Sequence, residues 1–139
     1  MMTFDELNQQ NHEITALTNV LRTLIDDRLV LDNDIVSELF FRYFDAIEQH
    51  LSDEQPLYAS LLAGSDQVTK NTTNQFISGT SEIRRILHSF VRRWSKNRSL
   101  LINDHEKFVD DAKDIFKLVR QRIRNETERL YPLVRQLAA

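Results

Sequence analysis

The chain has no cysteine, only two glycines and two prolines, and a single tryptophan among its 139 residues. Without cysteine there is no disulfide framework, thiolate zinc site, iron–sulfur cluster or thiol nucleophile, and redox compartment leaves no mark on the sequence. Two Gly and two Pro are too few to turn the many strands of a sandwich or barrel, whereas helices need little such punctuation. Long apolar runs are also missing: no stretch approaches the roughly 18 to 20 uncharged residues of a membrane span. The opening Met1-Met2-Thr3-Phe4-Asp5-Glu6-Leu7 lacks the basic-then-apolar order of a signal peptide. The expectation is a cytoplasmic protein with no membrane contact.

What is present is a composition of 41% hydrophobic and 28% charged residues, which suits a folded chain and, at this length, one domain over residues 1–139. The formal net charge of −3 conceals an asymmetry. Residues 1–69 carry 3 basic and 13 acidic side chains, a balance of −10, and residues 70–139 carry 15 and 8, a balance of +7. Opposite halves can pack on each other and orient the fold, or the second half can present an anion-binding surface.

Apolar residues recur at helical spacing in four long segments. The first runs from about Phe4 to Asp27, its stripe formed by Phe4, Leu7, Ile14, Leu17, Leu21 and Leu24. It breaks near Leu31-Asp32-Asn33-Asp34, where Asn or Asp can cap the next helix. The second spans about Ile35 to Leu62, with Pro56 expected to kink it or loosen a backbone bond. The third begins near Asp66, carries Phe76, Ile83, Leu87, Phe90 and Trp94, and fades over Ser95 to Ser99. Gly79 is a mild liability inside it. After a break at Leu100 to Asn103, Asp104 caps a fourth stripe of Phe108, Ala112, Ile115, Val119, Leu130, Leu133 and Leu137. The pattern predicts an all-α, up-down-up-down four-helix bundle.

Each stripe is interrupted where a core residue should stand, and a buried polar group must be paired or used. Asn11 interrupts the first stripe, His50 and Glu54 the second, Thr80 the third, and Arg122 and Glu126 the fourth. In an antiparallel bundle all six fall in one layer near one end. The pairs His50/Glu54 and Arg122/Glu126 stand at i and i+4, so the members of each face the same way. A weak repeat of about 70 residues relates the two halves, matching His50 to Leu57-Tyr58 with Arg122 to Leu130-Tyr131-Pro132. Tyr58 and Tyr131 border the layer as core rings or as donors to its carboxylates.

At these residues the chain resembles the hemerythrin-like, or HHE cation-binding, domains, and the resemblance covers nearly its full length. In that family a His from helix one, an H-x-x-x-E pair from helix two, a His from helix three and a second H-x-x-x-E pair from helix four hold a non-haem di-iron centre. His50 with Glu54 and Leu57-Tyr58 looks like the helix-two motif, and Glu126 with Leu130-Tyr131-Pro132 looks like the helix-four one. The remaining His positions are held by Asn11, Thr80 and Arg122. Two irons need roughly five or more protein ligands, and three remain. Arg122 is moreover a permanent cation with no lone pair to donate.

The sequence therefore predicts a hemerythrin-like fold whose di-iron site is mostly lost: a metal-free regulatory or protein-interaction module, not an enzyme, with no cofactor and a buried Arg/Glu/His cluster. The alternative is a reduced non-haem iron site at His50, Glu54 and Glu126, completed by water, Asn11 or His12, that senses or binds O2, NO or iron. A protein partner or homodimer is the expected company, with Leu29, Val30, Leu100, Leu101 and Ile102 as contact candidates. The basic face of Arg84, Arg85, Arg92, Arg93 and Lys96 beside His88 carries no nucleic-acid-reading motif and is expected to be solvated or paired with acids. His105 is expected to be exposed. No phosphate-cradling Gly loop, nucleophile elbow or His-Glu-x-x-His helix occurs.

Overall fold

A computed structural model describes residues 2–31, 33–64 and 66–138. Helix α1 (Phe4–Leu24) leads through a short α2 (Arg28–Leu31) to α3 (Asp34–Ala63) and α4 (Gln67–Trp94). A hairpin of β1 (Ser95–Lys96) and β2 (Ser99–Leu100) then precedes α5 (His105–Asn125), a π-helical turn (Glu126–Leu130) and α6 (Tyr131–Ala138). No described helix is long and apolar enough to cross a membrane.

The helix starts follow local chemistry. Thr3 and Glu6 form a capping box on α1, each side chain bonded to the other's backbone N–H. Asn33, Asp66 and Asp104 accept from the first-turn N–H groups of α3, α4 and α5. Helix α3 runs on through Pro56. The expected fading of the third helix over Ser95 to Ser99 is in fact a two-residue hairpin, its turn made by Asn97 and Arg98 at φ 53° and 59°. The all-α expectation misses this hairpin because the left-handed positions carry Asn and Arg instead of glycine.

Consecutive long helices pack side by side, and α5 returns to α1, closing the bundle. Their antiparallel sense is visible in pairs of contacts: Gln10 meets Asp53 and Thr18 meets Tyr43 between α1 and α3, Glu48 meets Arg84 and Tyr58 meets Thr80 between α3 and α4, Trp94 meets Asp111 and Phe76 meets Arg122 between α4 and α5, and Asn11 meets Glu126 and Ile25 meets His105 where the last helix returns to the first. The larger apolar cluster is aromatic, with Phe40 packed on Phe44, Phe90, Phe108 and Phe116, and Trp94 edge-on to Phe108. Each such buried side chain contributes roughly 1.5–3 kcal/mol. A smaller cluster of Leu7, Leu57, Tyr58, Leu61, Phe76, Leu130 and Tyr131 fills the other end. Between the two lies the polar layer. Along α1 the order is Leu7, Asn11, Ile14, and along α4 it is Phe76, Thr80, Ile83.

Some stripe residues depart from expectation. Leu137 is half exposed, beyond the last turn that packs on the bundle. His105 is partly buried, its Nε2 3.1 Å from the Ile25 carbonyl, and so closes the junction of α1 and α5. Of the apolar connection residues, Val30, Leu100 and Ile102 pack against the core, while Leu29 and Leu101 face solvent.

Candidate functional site

Asn11, His50, Glu54, Thr80, Arg122 and Glu126 come together in one buried layer, none more than 9% exposed. Arg122 is its centre. Its Nε donates to Glu126 Oε2 at 2.9 Å and its Nη2 to Glu54 Oε1 at 3.0 Å, so the guanidinium spans both carboxylates. Nη2 also meets Tyr58 Oη at 2.7 Å and Thr80 Oγ1 at 2.9 Å, and Nη1 donates to the Phe76 carbonyl at 3.1 Å. The guanidinium carbon stands 4.8 Å from the centre of the Phe76 ring.

His50 lies across the same carboxylates. Its Nε2 is 2.9 Å from Glu126 Oε1 and 3.1 Å from Glu54 Oε2. Nδ1 stands 2.8 Å from Gln10 Oε1, and the orientation of that amide is set because Gln10 Nε2 donates to the Asp53 carboxylate at 2.8 Å. Nδ1 therefore faces an acceptor and carries a proton, which points Nε2 at two carboxylate oxygens. Glu126 Oε1 additionally accepts from Asn11 Nδ2 at 2.8 Å and Tyr131 Oη at 3.1 Å, and Glu54 Oε1 accepts from Tyr58 Oη at 2.7 Å.

These contacts set the charge states. Burial opposes charge on His50, yet its bonds to Glu126 and Glu54 and their negative charge prevail and push its pKa up to about 9. Burial likewise opposes ionisation of Glu126; the bond and charge of His50, with Arg122, bring it down to about 2. For Glu54 burial is the largest influence and raises the carboxyl. The neighbouring Glu126 carboxylate raises it further, while His50 beside Oε2 and Arg122 on Oε1 pull the other way. Glu126 is thus held ionised between the imidazolium of His50 and the guanidinium of Arg122.

His12, the other His weighed for this site, lies on the exposed side of α1 with Nε2 3.4 Å from Asn8 Nδ2, outside the cluster. Two contributors escaped the sequence reading. Gln10 lies beside the core stripe with nothing to distinguish it from a solvated polar residue. Gly79 did leave a signal, a helix-weakening residue next to Thr80: a Cβ there would stand 3.0 Å from Arg122 Nη1, so its missing side chain makes room for the guanidinium. The π turn explains another irregularity. Tyr58 follows Glu54 by four residues, whereas Tyr131 follows Glu126 by five, yet each hydroxyl donates to its own carboxylate. The wider turn absorbs the extra residue, with the Tyr131 N–H bonded to the Glu126 carbonyl.

The donor set can be tested against metals on these atoms. Only His50, Glu54 and Glu126 offer ligand atoms together, all within 4.8 Å of one another among the described residues. Arg122, which has no lone pair to give a cation, already occupies one oxygen of each carboxylate, Glu126 Oε2 and Glu54 Oε1. A family model described as the hemerythrin HHE cation binding domain matches residues 2–134. No curated protein and no solved structure matches the chain at a significant level. With the helical bundle, the buried His-Glu-Arg layer and a match over almost its entire length, the chain belongs to the hemerythrin HHE cation-binding domain family.

Proposed function

We propose that this domain works without a di-iron centre, as a regulatory or protein-interaction module and not as an enzyme. One observation carries the reading: Arg122 makes ion pairs of 2.9 and 3.0 Å with Glu126 and Glu54, supplying from within the chain the positive charge that a cation would bring. The layer is also sealed, with both carboxylates fully buried, so what the domain offers another molecule is its surface. A partner or second copy would dock at the end where Leu29, Ile35 and Leu101 are exposed. If that end mediates self-association, sedimentation of the wild type will give a dimer that Leu29→Ser with Leu101→Ser returns to monomer.

The metal half of the reading is tested by anaerobic loading with ferrous iron, removal of loosely held metal, and elemental analysis. Near-zero iron per chain is expected, together with a Tm that EDTA leaves unchanged. Two irons per chain would overturn the proposal.

A second reading has its own support. Gln10 fixes the proton on His50 Nδ1, which is how outer groups commonly orient a metal-binding imidazole. Glu54 Oε2 and Asn11 Oδ1 are buried with no hydrogen-bond partner. Loss of the Nε2 proton would leave His50, Glu54 and Glu126 around a single-cation position. One iron per chain, abolished by His50→Ala, would favour this reading over the first.

A further inference from the structure

The excess positive charge of the second half is not where the sequence places it. On α4 three of the four arginines are answered among the described residues, Arg92 being the exception: Arg84 pairs with Glu48 at 2.9 Å, Arg85 with Glu82, and Arg93 lies 3.6 Å from Asp111. In the hairpin, Arg98 pairs with Asp45 at 2.8 Å. On α5, by contrast, Lys113, Lys117, Arg120 and Arg124 follow at steps of four, three and four residues, a spacing that lines them along one helical face. Together with Arg22 of α1 they line a cleft of about 440 Å³ floored by the ring of Phe116.

Among the described residues, the one acid in ion-pair contact with these five cations is Asp26, 3.7 Å from Lys113 Nζ; no carboxylate pairs with Arg22, Lys117, Arg120 or Arg124. Like charges three and four residues apart weaken a helix by a few tenths of a kcal/mol per pair. The α5 stripe makes three such pairs, and only Lys113 among its four cations has an ion-pair partner among the described residues.

We infer that this cleft binds a compact polyphosphate, either inorganic or carried by a nucleotide. Guanidinium forks match phosphate oxygens two at a time, and ammonium groups add point charges alongside. The stripe from Lys113 to Arg124 extends about 16 Å along the helix, which suits a chain of phosphates better than a single one. A long polymer is disfavoured because the first half of the protein, at −10, repels polyanion that runs beyond the cleft. The site is separate from the buried layer and uses none of its residues.

The test is an NMR titration of the full chain at about 150 mM salt, where loose surface attraction is largely screened. Sodium tripolyphosphate and ATP are compared with orthophosphate. Saturable shifts at Lys117, Arg120 and Arg124 are expected with the first two and weaker ones with orthophosphate. Lys117→Ala with Arg120→Ala should weaken binding by about tenfold or more, equivalent to about 1.4 kcal/mol, whereas Arg84→Ala with Arg92→Ala should leave it unchanged. Equal affinity for tripolyphosphate and ATP assigns recognition to the phosphates alone; tighter ATP binding assigns part of it to the nucleoside. The inference is overturned if no saturable shift appears by about 10 mM ligand, far above the range of ordinary specific binding. It is also overturned if both double variants lose binding equally, or if DNA or anionic vesicles bind at α5 and tripolyphosphate fails to displace them.

Discussion

Arg122 and Gly79 form one structural unit across the α4–α5 contact. Removing the guanidinium leaves two buried carboxylates with His50 alone between them, so Arg122→Ala should destabilise the fold by roughly 2–5 kcal/mol in chemical denaturation. Ala in place of Gly inside a helix normally stabilises by about 1 kcal/mol. Here the new Cβ would meet Arg122 Nη1 at 3.0 Å, while that nitrogen is held by the Phe76 carbonyl. Gly79→Ala should therefore show none of the usual gain in the wild type and recover it in the Arg122→Ala background, a coupling that a double-mutant cycle reads directly. A gain in both backgrounds would show that the side chain yields freely. Arg122 was legible in the sequence because it broke a core stripe with a charge. Gly79 was visible only as a weak spot in a helix, since its purpose depends on what stands opposite, and periodicity does not report that.

The last stretch of the bundle shows how an element can hide an insertion. Sequence spacing treated the fourth helix as continuous, and the stripe through Leu130 and Leu133 survives because the π turn takes up one residue and returns the following turns to phase. Pro132 marks the place. It lacks the N–H that would continue the helical ladder and crowds the carbonyl four residues back. Deleting exposed Glu128 should turn this segment into an ordinary α-helix with Tyr131 still on the cluster side, lowering stability by no more than about 1 kcal/mol. Deleting exposed Arg124, two residues ahead of Glu126, should rotate the carboxylate out of the layer and cost several kcal/mol, on the scale of breaking a buried pair. Similar melting temperatures for the two deletions would refute the bulge account. The four long helices and the caps at Asn33, Asp66 and Asp104 were readable because capping and amphipathic spacing are local. The hairpin was not, because Asn97 and Arg98 adopt left-handed backbone without announcing it by composition.

At the scale of the molecule, the cluster makes stability depend on pH from both sides. His50 has a folded pKa of about 9 against an ordinary 6.5, so its contribution is complete below about 6.5 and is lost as pH rises through 9. Glu126, lowered to about 2 from 4.5, contributes fully above about 4.5 and loses that contribution as pH falls toward 2. Glu54, raised by burial, works in the opposite sense, favouring the fold below its ordinary pKa and opposing it above. The expected profile has its maximum between about pH 4.5 and 6.5, with an alkaline decline of roughly 3 kcal/mol by pH 9 to 10. Urea midpoints across pH should show that decline in the wild type and lose it in His50→Asn. An alkaline decline that persists in the variant would place its origin elsewhere. The charge imbalance between halves was evident from counting, but which cations are answered was not, because pairing is settled across helices: Glu48 meets Arg84 over 36 residues of sequence, while among the described residues only Asp26 pairs with the α5 stripe.

The ion layer also divides the interior into unequal compartments. Side chains such as Phe40 and Phe108 on one side and Leu61 and Leu130 on the other do not share a continuous oily packing; charged groups stand between them. An excursion that lifts apart the smaller end need break only the cluster and a modest apolar contact, leaving the aromatic compartment closed. Backbone amides beyond the layer should then exchange with solvent as a group, at a common opening energy below that of global unfolding. In such a molecule the buried charges act as a latch, and whatever weakens them shortens the time that end stays shut.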